Sequence, residues 1–432
     1  MREKQPEEHI RCIEMPGIES LHNYLKEYLD AGHGVSDIQR EFGISAQSSD
    51  GLAIYKYSQE ESPKTVPLVR QSRGIVLEEG TNEIVHYPFY RFFNYGEIPE
   101  EDRNFRWQNA VVSEKLDGSM IGIFHYRSRW HICTSSQIGA ASLVTRAPFT
   151  YRELIDIATG GFDLFSEKLN PRFDYTFELI SPFNRVITPY ESTMLYLIGC
   201  RDRNGDFREI PFYEAYETDE IVPATARSTL HVPKIFSITD ESGRFKRIED
   251  IAAKANSLGE TDEGFVVIDF TSYDPVTGSF PRMKVKNQSY LAIKYLHASD
   301  KENAVTVEDL FRVVLQAEES EFLTAMPEFG DMIRSIKSRW QAFCGAINET
   351  LNRDDIRPLL AVPAEKRASH MKTFVFALKD CPHNKFLFPM YKSGGSSLND
   401  MLSNLQKRLG EERAVKTLCQ TVLPQRLESI KK

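Results

Sequence analysis

Between residues 52 and 270 the sequence is a long succession of short β-branched and aromatic runs. Turn-forming residues separate these runs, which is the pattern of consecutive β-strands. The predicted strands are residues 51–57, 74–77, 83–87, 111–114, 121–126, 130–134, 175–180, 194–200 and 264–270. One predicted helix, residues 152–169, interrupts them. Because the strands do not alternate regularly with helices, we predict an α+β fold built on antiparallel sheets.

Beyond about residue 290 the pattern becomes helical. From residue 329 to 351, apolar residues recur at spacings of three and four, which is the period of one helix face. Similar segments follow at residues 363–379, 397–409 and 411–422. This change of period predicts two domains. The first is an antiparallel-sheet domain of residues 1–290, and the second is an all-helical C-terminal domain of residues 291–432.

Composition and charge exclude several classes of protein. The formal net charge of −9 argues against a uniformly basic nucleic-acid coat, although it permits a basic groove on an acidic surface. The six cysteines are scattered and form no C-x-x-C pair, which favours free thiols in a reducing compartment over disulfides or a zinc site. No apolar run approaches the ~18 residues of a membrane span. We therefore expect a soluble, cytoplasmic protein, cellular or viral in a host cytoplasm, with no membrane partner.

Lys115 lies in the stretch V-V-S-E-K-L-D-G-S-M-I-G-I, residues 111–123, where two apolar runs flank a short polar centre. Asp117-Gly118 is a turn dipeptide, so we predict a hairpin with Lys115 at the end of its first strand. A lysine there can attack a phosphorus or carbonyl centre once it has lost its proton. A hairpin with a solvated lysine explains the same residues, and this stretch alone does not decide between the two interpretations.

Five further stretches lie in a definite order around this lysine. They are R-G at 73–74, R-F-F-N at 91–94, F-E-L-I-S-P-F-N-R-V at 177–186, E-G-F-V at 263–266 and K-V-K at 284–286. Lys284 and Lys286 share one strand face and can bind the α-phosphate of a nucleoside triphosphate. Glu178 and Glu263 can accept hydrogen bonds from ribose and position a magnesium ion. Phe93 can stack on a purine. Each stretch alone also fits an ordinary strand or core segment, but their joint order favours nucleotide chemistry.

With these motifs the sequence resembles the covalent nucleotidyltransferase superfamily, and within it the phage RNA ligase 1 family. The K-L-D-G-S, F-F-N and F-E-L-I-S-P-F-N-R-V stretches are the family-specific part. The resemblance implies that Lys115 attacks the α-phosphate of ATP and becomes lysyl-AMP, with Mg²⁺ or Mn²⁺ as cofactor. It assigns Glu178 and Glu263 to the ribose and the metal, and Lys284 and Lys286 to the phosphate, while the full set of metal ligands stays open. Further positions that it assigns to nucleotide binding are Tyr55, Arg73, Arg91, Phe93, Asp117, Gly118, Arg185 and Tyr290.

The resemblance also implies the later steps and the partner. AMP passes from the lysine to the 5′-phosphate of an RNA strand, and a 3′-hydroxyl then attacks that phosphate and releases AMP. The expected partner is single-stranded or nicked RNA, with tRNA as one candidate, in RNA or tRNA repair. We expect the protein to be a monomer, and RNA specificity is the candidate role of the helical domain.

The sequence departs from the family pattern at two places, and three alternative functions are considered. Arg91 stands where the family usually has lysine, and the strand at residues 131–137 lacks a lysine that the family tends to carry. DNA ligases and mRNA guanylyltransferases share the lysine chemistry, but they usually place an OB-fold barrel after the K-x-K strand, where this sequence predicts helices. A catalytically inactive module that binds RNA or nucleotide is the third alternative. The presence of all six motifs argues against it.

Overall fold

The computed structural model describes residues 21–59, 61–144, 147–236, 247–296, 305–316, 318–319, 322–323 and 326–423. The chain divides into two compact units, Met1–Asn287 and Gln288–Lys432. The first combines β-sheets with short helices and the second is helical, so the predicted α+β class is confirmed. None of the described helices is long and apolar enough to cross a membrane.

The described part of the first unit contains fifteen strands and nine α-helices. The strands are β1 (Ile44–Ser49), β2 (Leu52–Tyr57), β3 (Arg73–Glu78), β4 (Ile84–His86), β5 (Phe93–Asn94), β6 (Val111–Glu114), β7 (Ser119–Tyr126), β8 (Arg129–Thr134), β9 (Phe173–Ile180), β10 (Met194–Asp202), β11 (Arg208–Ile210), β12 (Leu230–His231), β13 (Ile235–Phe236), β14 (Gly264–Ile268) and β15 (Arg282–Lys286). The helices are α1 (Tyr24–Asp30), α2 (Val35–Phe42), α3 (Pro67–Gln71), α4 (Pro99–Asn104), α5 (Tyr151–Thr159), α6 (Phe162–Ser166), α7 (Phe212–Glu217), α8 (Ala224–Arg227) and α9 (Ile248–Asn256).

These strands form three sheets. Sheet 1 has the order β1-β2-β3-β4, sheet 2 has the order β11-β10-β9-β7-β8 with β12 beside β10, and sheet 3 has the order β13-β6-β14-β15-β5. Most neighbours are antiparallel, and the exceptions among the described strands are β10 with β12 and β15 with β5. Sheets 2 and 3 carry the residues that the sequence assigns to catalysis.

Each of these two sheets has its own core, and strand alternation decides which side chains are left for the opposite face. In sheet 2, Phe177 and Leu179 belong to an apolar cluster that includes residues of α5 and α6, so Glu178 between them points to the other face. In sheet 3, Met283 and Val285 belong to a cluster with residues of α9. The lysines on either side of Val285 therefore lie on the face away from α9. The polar faces of two separately cored sheets thus supply the candidate catalytic residues.

A buried ion pair joins sheets 2 and 3. Glu209 of β11 accepts hydrogen bonds from both terminal guanidinium nitrogens of Arg282, which lies on β15. Glu209 also accepts from the backbone N–H of Phe280 at 3.1 Å. Arg201 of β10 lies beside this pair and donates to the Ser279 hydroxyl at 2.8 Å. All three charged side chains are buried. Removing a charge from water costs free energy, and the attraction between Glu209 and Arg282 offsets part of that cost.

The helix predicted at residues 152–169 is interrupted in the structure. Two helices, α5 and α6, occupy this region, and Gly160 and Gly161 separate them. Both glycines have positive φ values, +73° and +112°, which a right-handed helix does not contain. The periodicity was therefore correctly helical, but the Gly-Gly pair ends the first helix and redirects the chain.

The second unit is helical throughout its described residues. Its helices are α10 (Gln288–Leu296), α11 (Val307–Leu315), α12 (Gly330–Leu351), α13 (Arg357–Leu360), α14 (Arg367–Ala377), α15 (Asn384–Lys392), α16 (Leu398–Leu409) and α17 (Glu411–Val422). Thr306 and Ser397 cap α11 and α16, each in a capping box with an aspartate three residues later. Arg367 is buried and donates to the backbone carbonyls of four residues, Leu360, Val362, Tyr391 and Gly395.

Candidate active site

Lys115 lies where the chain passes from sheet 3 to sheet 2. The preceding strand, β6, pairs with β13 and β14, whereas the following strand, β7, pairs with β8 and β9. The predicted hairpin is therefore wrong, because the two strands that flank Asp117-Gly118 belong to different sheets. The backbone N–H of Lys115 donates to the Gly264 carbonyl at 2.9 Å, which fixes the lysine to the end of β14. Its side chain consequently starts from the junction of the two sheets.

Glu263 bridges two lysines. Its Oε2 accepts from Lys115 Nζ at 2.6 Å, and its Oε1 lies 2.9 Å from Lys286 Nζ. Burial alone would raise the pKa of this carboxyl group, but the two ammonium groups outweigh burial and lower the pKa to about 2. Glu263 is therefore ionised at neutral pH, and it holds the amine of Lys115 at a defined point in the site.

Glu178 is the opposite case. Burial raises its pKa, the positive charge of Lys115 opposes this, and the nearby negative charge of Glu263 adds to it, so the pKa rises to about 7. No hydrogen bond to this carboxylate is formed by the residues that the structure describes. Two glutamates beside one lysine thus have pKa values displaced in opposite directions. Such divergence is common at catalytic sites, although structural ion pairs also produce it.

Two cations contact the ring of Phe92, and the positive charge of one of them, Arg73, also acts on Glu178. The guanidinium carbon of Arg73 lies 4.8 Å from the centroid of the Phe92 ring, and Lys284 Nζ lies 5.2 Å from the same centroid. A further cation, Lys286, is bound by Glu263. The Nη1 atom of Arg73 is buried and has no hydrogen-bond partner among the residues that the structure describes. An unsatisfied buried donor beside a ring that Lys284 also contacts fits an anionic ligand such as a phosphate, because a ligand oxygen would complete its hydrogen bonding.

Two of the predicted nucleotide contacts, Tyr55 and Phe93, are buried side chains in this structure. Tyr55 is buried in the core of sheet 1, where it packs among the apolar side chains of α1, α2 and α3. Phe93 is 1% exposed, and the guanidinium groups of Arg70 and Arg91 lie 4.9 and 5.0 Å from its ring centroid. Its ring is therefore covered, and the partly exposed Phe92 is the aromatic that faces the site cations.

Arg91 is also enclosed. Its Nη1 donates to the Tyr57 hydroxyl, and its Nη2 lies 3.5 Å from a Glu97 oxygen. The guanidinium is buried, so the prediction that it meets a triphosphate is not supported by its place in this structure. The departure from lysine at this position has a structural explanation, because a planar guanidinium can satisfy both partners at once.

Asp117 and Gly118 shape the crossover. Asp117 Oδ2 accepts from the backbone N–H groups of Ile187 and Thr188 at 2.9 and 3.0 Å, so this buried carboxylate holds the loop between β9 and β10 rather than facing a nucleotide. A Cβ on Gly118 would lie 2.4 Å from the Leu179 carbonyl oxygen. Glycine is needed there because the crossover passes directly against β9. Arg185 lies exposed on the same loop, with its Nε donating to the Ile187 carbonyl at 2.9 Å.

A protein-family comparison decides what kind of chain carries this arrangement. A family model described as RNA ligase matches residues 71–290, slightly more than half of the sequence. The chain belongs to the RNA ligase family. The match covers Lys115, both glutamates and the lysine pair. The predicted resemblance to phage-type RNA ligases is confirmed.

Relatives of this RNA ligase family member include proteins of two phages and of a nuclear polyhedrosis virus. The RNA ligase of Rhodothermus phage RM378 is 24% identical over 457 residues, covering 93% of this chain and 98% of that protein. A protein of Autographa californica nuclear polyhedrosis virus, named a bifunctional polynucleotide kinase/RNA ligase, is 26% identical over 326 residues. That alignment covers 70% of this chain and 42% of the viral protein, so the chain spans less than half of that relative. RNA ligase 1 of bacteriophage TS2126 is 28% identical over 165 residues, covering 35% of this chain and 38% of that protein.

Solved structures give weaker matches. An archaeal ATP-dependent RNA ligase is 16% identical with a TM-score of 0.38, covering 89% of this chain and 82% of that one. A Naegleria gruberi RNA ligase mutant with ATP and Mn is 16% identical with a TM-score of 0.35, covering 48% and 57%. These values are too low to support a functional argument.

The site of this RNA ligase family member also has features that sequence reasoning missed. Phe92, and not the predicted Phe93, is the aromatic that Arg73 and Lys284 contact, and the strand register explains the difference. Phe93 is paired with Met283, which belongs to the core, so its ring points the same way. The hydrogen bond from Asn184 Nδ2 to the Ser119 hydroxyl, at 2.9 Å, left no signal in the sequence. Tyr290 is buried and begins the second unit, and its nucleotide contact stays a prediction.

A divalent metal would have few protein ligands here. Among the described residues, no group of three or more histidine, cysteine, aspartate and glutamate side chains is arranged to hold a metal. Magnesium is commonly bound by one or two carboxylates together with substrate phosphates and water. Glu178 fits this role better than Glu263, because both oxygens of Glu263 are already bound by lysines.

Proposed function

We propose that the protein is an ATP-dependent RNA ligase that works through a covalent AMP on Lys115. The observation that carries this proposal is the fixed position of Lys115 Nζ, 2.6 Å from Glu263 at the junction of two sheets, where Glu263 also binds Lys286. The positive charges of Lys115 and Arg73 both act on the neighbouring Glu178. Membership of the RNA ligase family supports the same reaction.

The proposed reaction proceeds in three steps of phosphoryl or nucleotidyl transfer. Lys115 loses a proton and its nitrogen forms a bond to the α-phosphorus of ATP, while the α–β phosphoanhydride bond breaks and pyrophosphate leaves. The 5′-phosphate of an RNA then attacks that phosphorus, breaks the P–N bond and leaves the lysine as an amine. Finally a 3′-hydroxyl loses its proton, attacks the activated 5′-phosphate and releases AMP.

The chain's own residues position and neutralise the reacting groups. Glu263 and Lys286 orient the Lys115 amine before attack. Arg73 and Lys284 bind phosphate oxygens and stabilise the negative charge that develops on them. Mg²⁺ or Mn²⁺, when bound, supplies further charge neutralisation at the phosphates. Glu178 holds that ion once its carboxyl group has ionised.

RNA repair, with tRNA as one substrate, is the biological role we propose, and the cytoplasm is the proposed location. DNA ligase and mRNA guanylyltransferase are the competing activities of the superfamily. The segment after the K-V-K strand is helix α10 and not a barrel strand, which favours the RNA ligase. An inactive binding module is disfavoured because the lysine, both glutamates and the cations lie together in one site.

Covalent labelling tests the proposal. The protein is incubated with α-labelled ATP and magnesium, and label is measured on the denatured chain. We expect label on wild type and on Lys254→Ala, a control at an exposed lysine of α9, but none on Lys115→Ala. Unlabelled wild type, or equal labelling of Lys115→Ala, would reject the proposal. Labelling by GTP alone would indicate a capping enzyme, and preferential joining of 5′-phosphorylated DNA would indicate a DNA ligase.

A further inference from the structure

Next to the candidate active site, the loop between β9 and β10 presents an exposed apolar surface. Phe183 is 44% exposed and Val186 is 55% exposed, although both lie in a segment whose other apolar side chain, Ile187, is buried. Phe149 packs on Phe183, with ring centroids 4.7 Å apart. Exposed apolar groups that cluster in this way commonly mark a binding surface. We refer to Phe183, Arg185 and Val186 as the loop platform.

The loop that carries this platform is fixed at several points. Asn184 Nδ2 donates to the Ser119 hydroxyl at 2.9 Å, and Asp117 Oδ2 binds the backbone N–H groups of Ile187 and Thr188. These contacts come from the crossover that carries Lys115. Further hydrogen bonds join Ser181 to Thr193, Tyr190 to the backbone N–H of Asp117, and Thr188 to the Thr261 carbonyl. The loop backbone is thus fastened to the active site while the platform side chains remain exposed.

The charge on the platform indicates the chemistry of its occupant. Arg185 is exposed, its Nε donates to a backbone carbonyl of the same loop, and it makes no ion pair with the described residues. An exposed aromatic ring and an exposed cation two residues apart in one loop supply the two groups by which proteins bind single-stranded nucleic acids, with bases stacked on the ring and phosphate near the cation. An acidic protein surface would contact the cation alone, and an apolar protein surface would contact the ring alone. A single-stranded nucleic acid uses both groups.

We propose that the loop platform binds the RNA end that is to be joined, with a terminal base stacked on Phe183 and the adjoining phosphate near Arg185. This inference rests on the proposed RNA ligase function and extends it by assigning a binding site for the RNA strand. Asp117 then has a positioning role, because the same carboxylate fixes the platform and belongs to the K-L-D-G-S stretch of the nucleophile. Phe183 and Val186 are not among the residues that the family resemblance assigns to ATP, and Arg185, which it assigns to the nucleotide, is placed here at the RNA phosphate instead.

The matched variants are Phe183→Ala and Phe376→Ala. Phe376 is 73% exposed on α14 in the second unit, so it controls for the loss of an exposed phenylalanine. Phe183→Trp restores a stacking surface and should restore binding. Labelling of Lys115 by ATP without RNA is measured first, and all three variants should equal wild type, because the platform residues do not touch Lys115. If wild type itself takes no label, the proposed function is rejected. Failure of the platform alone is distinguishable from that result, because it leaves ATP labelling of wild type intact.

RNA binding and RNA joining are measured next, and they test the platform itself. The probe is a fluorescent single-stranded oligoribonucleotide with a 5′-phosphate and a 3′-hydroxyl, in intact form and with the terminal base removed at one end or the other. Stacking of one base contributes 1–3 kcal/mol, so Phe183→Ala should weaken binding and joining of intact RNA by about 5- to 150-fold. Wild type should show the same loss with the abasic RNA at one of its ends, and Phe183→Ala should show no additional loss there. Arg185→Gln should reduce the salt dependence of binding by about one ion.

Several outcomes would overturn the proposal that the loop platform binds RNA. Unchanged RNA binding and joining by Phe183→Ala is one, and an equal loss on intact and abasic RNA is another, because the ring would then not meet a base. Loss of ATP labelling in Phe183→Ala would show a structural role. A dimer of wild type that Phe183→Ala dissociates, with RNA joining unchanged, would show that this surface is an interface between two copies of the chain.

Discussion

Glu178 and Glu263 flank the same lysine, yet the two carboxylates should change the stability of the protein in opposite directions. The perturbation is the substitution of each glutamate by glutamine, which removes the charge and keeps the shape of the side chain. Glu178 has its pKa raised from 4.5 to about 7, mainly by burial. Glu263 has its pKa lowered from 4.5 to about 2, because Lys115 and Lys286 outweigh its burial.

The signs and magnitudes follow from proton linkage. A raised pKa means that the folded state disfavours ionised Glu178, so its charge destabilises the fold progressively between pH 4.5 and about 7 and fully above that range. A lowered pKa means that ionised Glu263 stabilises the fold above pH 4.5, and that this stability is lost as the pH falls toward about 2. One pKa unit corresponds to about 1.4 kcal/mol, so each effect is on the order of 3 kcal/mol.

The assay is urea unfolding at pH 5 and pH 8, followed by tryptophan fluorescence. Trp107 and Trp130 lie in the first unit, and Trp340 of the second unit is replaced by phenylalanine in every protein, so that the signal reports the unit with the site. Glu178→Gln should be more stable than its parent at pH 8 by about 3 kcal/mol and close to it at pH 5. Glu263→Gln should be less stable than its parent by a similar amount at both pH values.

Two results would refute this reasoning. If Glu178→Gln is less stable than its parent at pH 8, the charge of Glu178 stabilises the fold and burial does not dominate its ionisation. If Glu263→Gln matches its parent at both pH values, the two lysine contacts do not hold its charge. Both variants are expected to lose most ATP labelling, so stability and activity diverge for Glu178 and fall together for Glu263.

Three further substitutions test other parts of the first unit. Gly118→Ala places a Cβ 2.4 Å from the Leu179 carbonyl, so we expect a loss of about 1–3 kcal/mol in urea unfolding together with weaker ATP labelling. Glu209→Gln leaves the buried charges of Arg282 and Arg201 without a carboxylate and should destabilise the first unit by about 3–5 kcal/mol; an unchanged urea midpoint would mean that the pair contributes nothing. Arg73→Gln removes a buried donor that has no partner in the described part of the chain, so stability should hold while the ATP concentration for half-maximal labelling rises; unaltered ATP dependence would remove Arg73 from the phosphate site.

Local patterns in the sequence predicted most of the longer strands, the helical second half and the candidate catalytic residues. Lys284 and Lys286 could be placed on one strand face because strand alternation is a local rule, and Val285 between them is buried as that rule requires. The helix at residues 152–169 was recognised by its period, although its break at two consecutive glycines was not.

The remaining errors concern contacts that local sequence does not encode. Asp117-Gly118 has the composition of a hairpin turn, but strand pairing depends on β9 and β14, which are distant in the chain and compete for β7 and β6. Phe92 and Phe93 are chemically identical, and only the pairing of β5 with β15 decides which ring is buried. Asp117 binds a loop seventy residues away, so its role could not be read from its neighbours.

Because the chain crosses from sheet 3 to sheet 2 at Lys115, the active site lies at the boundary between two sheets that have separate cores. We refer to this boundary as the seam. Glu263 and Lys286 reach the lysine from one side of the seam and Glu178 from the other, so a small parting of the sheets would disturb the nucleophile while both cores stay intact. Partial opening costs less than global unfolding and is therefore populated earlier as denaturant is added. Catalytic competence should consequently disappear at a lower urea concentration than tryptophan fluorescence changes. Any ligand that spans the seam should protect activity more than it raises the unfolding midpoint.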